Sequence, residues 1–317
     1  MQNTMERPAR RRDVAGATIV VTGASSGFGR GAAIKLAEQG ANVVLGARRA
    51  EALGQLAAEI GAAGGTALAV GMDVSDPRDV MRLAQAAVQR FGRFDVWINN
   101  AGIGALGFFW DIPIEDHARV IDVNLKGLIY GAHVALRQFR EQGFGTLINM
   151  GSIDSEVPLA YQASYAASKA AVLSLGRSLR EELRLAGNED IRVGTIMPWA
   201  VDTPWWTHAA NYSGHAPRML AMDDPAIVID AIVRACVVPK EEMPAGLIAH
   251  ASNASHHIFP DLTERMSADI AHREVGKAFP MDPGPGAIYQ PMSDTATIGG
   301  GIRARMKQED DRQDPPG

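Results

Sequence analysis

Short apolar runs rich in β-branched residues alternate with longer helix-patterned stretches through most of this 317-residue chain. The runs are 17–23 (ATIVVTG), 41–47 (ANVVLGA), 66–72 (TALAVGM), 94–100 (FDVWINN), 145–151 (GTLINMG) and 191–197 (IRVGTIM), with a weaker one at 245–250 (AGLIAH). Runs apolar on both faces need helices above and below them, which points to a parallel sheet. The pattern predicts an α/β fold, a doubly wound parallel sheet of about seven strands. At 46% hydrophobic residues the chain can bury one large core, so a single domain is expected over 14–250. The basic segment before it, 1–13, is expected to be disordered.

A glycine loop follows the first run at once: Thr22, Gly23, Ala24, Ser25, Ser26, Gly27, Phe28, Gly29. Glycines between a strand and a helix allow a tight turn and let a pyrophosphate approach the helix N-terminus, where free N–H groups favour anions. Gly23, Ser25, Ser26, Gly27, Phe28 and Gly29 are therefore candidate nucleotide contacts. An NAD site would carry a carboxylate at the end of the second strand, about twenty residues further on. This chain has Ala47, Arg48 and Arg49 there. Cations are disfavoured at a helix N-terminus, and a bound phosphate reverses that sign. NADP(H) is thus the expected cofactor, with NAD(H) possible; Arg48 is the first candidate for the 2′-phosphate and Arg49 the reserve.

The glycine loop, the NNAG at 99–102, Ser152 thirteen residues before Tyr165, and the YxxxK of Tyr165 and Lys169 occur in order. Together they resemble the short-chain dehydrogenase/reductase family, a Rossmann-like fold, over residues 16 to about 250. The resemblance implies a catalytic tetrad of Asn124, Ser152, Tyr165 and Lys169. It also implies adenine contacts at Asp73 and Val74, and cofactor contacts at Asn100, Ala101, Gly102, Tyr165, Lys169, Pro198, Val201 and Thr203. One departure follows the sixth run: Trp199 stands where the family has glycine after Pro198.

The chemistry of the tetrad is legible from its residue types. A free tyrosine has a pKa near 10 and needs help to act as a base at neutral pH. Lys169, one helical turn from Tyr165, can favour the phenolate. Ser152 can hydrogen-bond the substrate oxygen. The resemblance gives Asn124 a water that links Lys169 to solvent. Trp199 and Trp205 fall where ligands bind in such folds, so together with Ser152 and Tyr165 they are candidate substrate contacts, and a small apolar ketone or secondary alcohol is expected. Phe108, Phe109 and Trp110 suit either the pocket or the core. Two other activities fit the same loop: redox-neutral epimerisation or dehydration, and non-catalytic NADP sensing.

A net charge of −5 argues against a nucleic-acid partner, and no apolar run is long enough for a membrane span. The start lacks a secretory h-region, so a cytoplasmic protein is expected. The histidines lack metal-like spacing, and no metal site is expected. The extension at 251–317 should be partly helical, since Ile258, Leu262, Met266 and Ile270 recur at spacings of four. Residues 280–301 are too rich in proline and glycine for regular structure, and the charged last dozen residues should be mobile. The family's usual interface helices carry Asn124 and Tyr165, which implies a homodimer or homotetramer. The tail is then expected across a neighbouring subunit or over the pocket mouth.

Overall fold

The computed structural model describes residues 13–292 and 296–313. The expected disorder at 1–12 and 314–317 lies outside the described residues. The chain runs β1 (Thr18–Thr22), α1 (Gly27–Glu38), β2 (Asn42–Ala47), α2 (Ala50–Ala62), β3 (Thr66–Gly71), α3 (Pro77–Phe91), β4 (Val96–Asn99) and a short β5 (Ala105–Leu106). There follow α4 (Ile114–Ile121), α5 (Gly127–Gln142), β6 (Gly145–Met150), α6 (Ala163–Leu185), β7 (Ile191–Pro198), α7 (Trp205–His208) and β8 (Ala210–Asn211). The remainder is α8 (Pro225–Val237), β9 (Glu242–Ala245), α9 (Leu247–Ile258), α10 (Pro260–Lys277) and α11 (Ile302–Gln313).

Seven strands form one sheet in the order β3-β2-β1-β4-β6-β7-β9, with every pairing parallel. The order reverses between β1 and β4, and the crevice at such a switch point is where these folds bind ligands. Separate apolar clusters fill the two sides, one around Ile19, Val21, Leu45 and Ile98, the other around Val20, Trp97, Phe139 and Leu147. Alternate residues of one strand thus serve opposite cores. Local signals fix the helix ends: Asp76 caps α3 ahead of Pro77, and Gly92 closes it in the left-handed region at φ 80°.

The seventh strand departs from expectation. It is Glu242–Ala245, paired to Thr195–Pro198, and the predicted 245–250 run instead opens α9. Gly246, at φ 96°, ends the strand, so the apolar Leu247–Ile248 pair starts a helix. The stripe of α10 is also reversed. Leu262 and Met266 face outward, while Thr263, Ser267, Ala271 and Glu274 face in. The cause is a buried ion network: Arg218 donates to Glu274, Glu309 and Asp310, each at 2.9 Å. These bonds draw polar faces of α10 and α11 inward. The charged end read as mobile is therefore helical as far as Gln313. No described helix is long and apolar enough to cross a membrane.

Candidate active site

The glycine loop joins β1 to α1 at the switch point. Ser26 precedes α1 in extended conformation and gives it no side-chain cap, and no acidic residue lies in the first turn. An uncapped, acid-free helix start suits an anion. Gly29 packs so tightly that a Cβ would clash with the Gly23 carbonyl and stand 2.6 Å from Asn100 Nδ2. Asn100 in turn donates to the Thr22 carbonyl at 2.9 Å, tying the NNAG loop to the glycine loop. The cleft above them is lined by Gly23, Ser25, Arg48, Asp73, Val74 and Ala101 among others. Pro198 and Val201 lie instead on the adjoining catalytic cavity, and Thr203 borders both.

Arg48 and Arg49, at the end of β2, are held by a strap from the C-terminal extension. Arg48 donates through Nη1 to the carbonyls of Ile288 (3.0 Å) and Tyr289 (2.8 Å), and through Nη2 to that of Ala287 (2.7 Å). Arg49 donates to Ser25 Oγ and to the Met292 carbonyl. Arg119, unremarked in the sequence, donates to Ile288 O at 3.0 Å and pairs with Asp73 at 2.8 Å. Asp73 also accepts from Ser75, and although burial opposes ionisation, these bonds and Arg119 hold its carboxyl below the usual range. Further along, Gly27 N–H donates to Thr297 O at 2.8 Å, and Ile302 N–H to Asp202 at 2.8 Å. Ile288 is fully buried, and Pro291 and Met292 line the cleft. Within the one chain, the tail lies along the glycine-loop cleft, as the pocket-mouth expectation has it. Arginines at the end of β2 were the legible half of this contact, whereas carbonyl acceptors leave no trace in side-chain identity.

The candidate catalytic residues meet at a second cavity beside this cleft. β6 delivers Ser152 just past its end, and α6 delivers Tyr165 and Lys169. Tyr165 hydrogen-bonds the Ser152 side chain; burial and the charge of Asp154 push its phenol well above the usual value, against that bond. Lys169 Nζ donates to Met150 O at 2.7 Å and sits 5.5 Å from the Tyr165 ring centre. Burial lowers Lys169 to about 8, with Asp154 opposing. Asn124 lies in a π-helical turn, Asp122–Lys126, between α4 and α5. Its amide exchanges two bonds with the Ile103 backbone, at 2.8 and 2.9 Å, and donates to Ser168 at 3.1 Å. Asn124 and Lys169 approach one spot: a Cβ on Gly102 would lie 3.5 Å from Asn124 Oδ1 and 3.7 Å from Lys169 Nζ.

Trp205 packs against Tyr165 with ring centres 5.0 Å apart and meets Trp206 edge-on at 5.1 Å. Trp199 lines the same cavity and donates its indole N–H to Leu220 O. Phe108, Phe109 and Trp110 lie outside both cavities and are exposed, Phe108 stacked on Trp110 at 5.2 Å. Trp206, which with Trp205 begins the aromatic segment after the sixth run, lines the cavity, whereas sequence reasoning missed Gln162 and Asp154. Asp154 carried a signal, being a carboxylate two residues after Ser152.

The short chain dehydrogenase family pattern matches residues 17–212. The chain is 36% identical over 294 residues to the uncharacterized oxidoreductase YxnA of Bacillus subtilis, covering 90% of this chain and 82% of that one. It is 42% identical over 192 residues to the L-rhamnose 1-dehydrogenase (NAD(P)(+)) of Azotobacter vinelandii, covering 59% and 73% respectively. Its fold is similar to the crystal structure of a short-chain dehydrogenase/reductase from Burkholderia phymatum in complex with NAD. The TM-score is 0.71 and the identity 26%, covering 86% of this chain and 99% of that one. The protein therefore belongs to the short-chain dehydrogenase/reductase family and is an oxidoreductase of that family.

Proposed function

We propose that the protein is an NADP(H)-dependent reductase or dehydrogenase acting on a ketone or secondary alcohol with a mainly apolar body. The convergence of Ser152, Tyr165 and Lys169 in one buried cavity next to the glycine-loop cleft carries this reading. Bound NADP(H) would supply or accept the hydride. Gly23, Ser25, Ser26, Gly27, Phe28 and Gly29 would hold its pyrophosphate, Asp73 and Val74 its adenine, and Asn100, Ala101 and Gly102 its middle. Pro198, Val201 and Thr203 would meet the nicotinamide end.

In reduction, the Tyr165 hydroxyl gives its proton to the carbonyl oxygen while the Ser152 hydroxyl donates a hydrogen bond to the same atom. Lys169 favours the phenolate left behind, being buried beside it. Asn124, its side-chain amide engaged by Ile103 and Ser168, would join the proton relay from the π-turn beside Lys169. Ile153, Leu159, Trp199, Val201, Trp205 and Trp206 line the substrate side, which suits an apolar body.

The preference for NADP(H) rests on two arginines and no carboxylate at the end of β2. A 2′-phosphate would share Arg48 with the three strap carbonyls. One observation favours a second reading: a strap over the cleft suits a nucleotide retained through a redox-neutral epimerisation or dehydration. A panel of ketones followed by NADPH absorbance tests the proposal. Stoichiometric NADPH consumption is expected, and product formation without net consumption would favour the second reading. The same proposal pairs α5 and α6 with a second copy in a homodimer or homotetramer, measurable by light scattering.

A further inference from the structure

Two pieces of the extension touch the glycine-loop region, and they differ in what they leave for a nucleotide. Residues 287–292 lie on Arg48 and Arg49. A guanidinium carries five N–H donors, and Arg48 makes three bonds, to the carbonyls of Ala287, Ile288 and Tyr289. Donors remain there for a phosphate. The second piece meets the loop itself: the Gly27 N–H donates to the Thr297 carbonyl at 2.8 Å. Gly27 opens α1, so this N–H is one of the free donors with which a helix start receives an anion. A backbone amide has a single hydrogen, and Thr297 takes it. Thr297 is itself exposed, whereas the chain beyond it is tied down. Gly300 N–H donates to Asp202 O at 3.2 Å, and the N–H groups of Ile302 and Arg303 donate to the Asp202 carboxylate at 2.8 and 3.2 Å. Ile298 lies against α1, its Cδ1 3.5 Å from where a Cβ on Gly31 would stand.

Resting on the nucleotide-binding reading above, we propose that residues 297–303 form an autoinhibitory contact, in which the Thr297 carbonyl occupies on Gly27 the place of a pyrophosphate oxygen and must leave before the nucleotide binds. The two acceptors exclude each other at one N–H. Nucleotide affinity is therefore lowered by the fraction of molecules in which the contact is closed. The reverse follows by linkage: bound nucleotide frees the 297–303 segment. Residues 287–292 face no such conflict, because Arg48 can serve carbonyls and phosphate together. An exposed carbonyl held to the loop by one bond is also the part of the extension best placed to open locally. Asp202, its anchor, stands between Val201 and Thr203, so the segment joins the pyrophosphate donor to the loop at the nicotinamide end.

The test adds NADPH to the full chain and to two variants, Ile298→Ala and Asp202→Ala, which remove the packing and the carboxylate acceptors that hold the segment. Hydrogen exchange at 300–303 is expected to rise about threefold or more when NADPH saturates the unaltered protein, while 287–289 stays protected. Unchanged or slower exchange at 300–303 would overturn the proposal, since a segment that merely covers the nucleotide is protected by it. In fluorescence titration each variant is expected to bind NADPH about threefold to tenfold more tightly, the worth of one net hydrogen bond. Equal or weaker binding, in a folded variant whose 300–303 amides exchange faster without nucleotide, also overturns it. Asp202 adjoins the nicotinamide-end loop, so Ile298→Ala decides where the two variants differ. No binding of NADPH or NADH to the unaltered protein would instead overturn the nucleotide reading beneath it.

Discussion

At the candidate catalytic end of the cleft, Ser152, Tyr165 and Lys169 come from neighbouring elements, and their spacing along the chain already brings them within one cavity. At the nucleotide end, Arg48 is held by carbonyls 239 to 241 residues away. The first group is positioned by a strand end and one helical turn; the second depends on where a proline- and glycine-rich strap comes to rest. That strap is fastened by bonds at both ends, Asn211 to Gly284 on one side and Asp202 to Ile302 on the other. A site can thus combine parts that local geometry sets with parts that only long-range closure supplies.

Replacing Tyr165 by Phe is the sharpest way to isolate the catalytic end. The ring and its packing on Trp205 remain while the proton donor goes, so kcat is expected to fall about a thousandfold, in line with general acid–base contributions. NADPH affinity by fluorescence titration should stay within about twofold. A comparable loss of affinity would mean that the two ends are not separable.

Arg218→Met attacks the anchor of the extension. It takes the central cation from the buried Glu274 and Glu309, leaving them only Lys277 and Arg305, which costs about 3 kcal/mol. Denaturant titration reads that loss, and hydrogen exchange at 287–289 should rise with it. A change below about 1 kcal/mol would show that the strap needs no such anchor.

A smaller effect is expected from Arg48→Ala. NADPH binding should weaken about tenfold to a hundredfold, against about threefold for NADH, the shared part being the loosened strap. Equal losses for the two cofactors would assign Arg48 wholly to the strap and turn attention to Arg49.

The smallest effect concerns pH. An ionised Asp154 raises the Tyr165 phenol, so in Asp154→Asn the acid limb of alcohol oxidation should move to lower pH, by about half a unit. Stability should respond too. The raised carboxyl of Asp154 stabilises the fold fully below its unfolded value, and that contribution is lost as pH rises towards 7. Lys169, lowered to about 8, behaves oppositely: its contribution is present above the unfolded value and lost as pH falls through 8. Asp154→Asn should therefore flatten the loss between about pH 4 and 7, seen by melting at successive pH values.

Much of the fold was legible because its signals are local. Both-face burial of the strand residues shows in unbroken apolar runs such as TIVVT, and α3 announces its ends through Asp76, Pro77 and Gly92. The edge strand was misplaced because Glu-Met-Pro-Ala has no strand-like composition. Its pairing with β7 holds it, and the more apolar segment after Gly246 goes to a helix. Helical spacing in α10 was visible, but the direction of its apolar stripe was not, since the buried Arg218 network turns the polar face inward.

The amino-acid sequence by itself determined six of the sheet's seven strands, the glycine loop at the switch point, and the pairing of Tyr165 with Lys169 on one helix. Each depends on residue types within a few positions of one another, where backbone geometry does the placing. Only the tertiary structure decided that the extension covers its own cleft and occupies Arg48, because those acceptors are backbone carbonyls that any residue could supply. It also decided that one oxygen of Asp154 ends buried without a partner, which depends on what surrounds the turn and not on the turn itself.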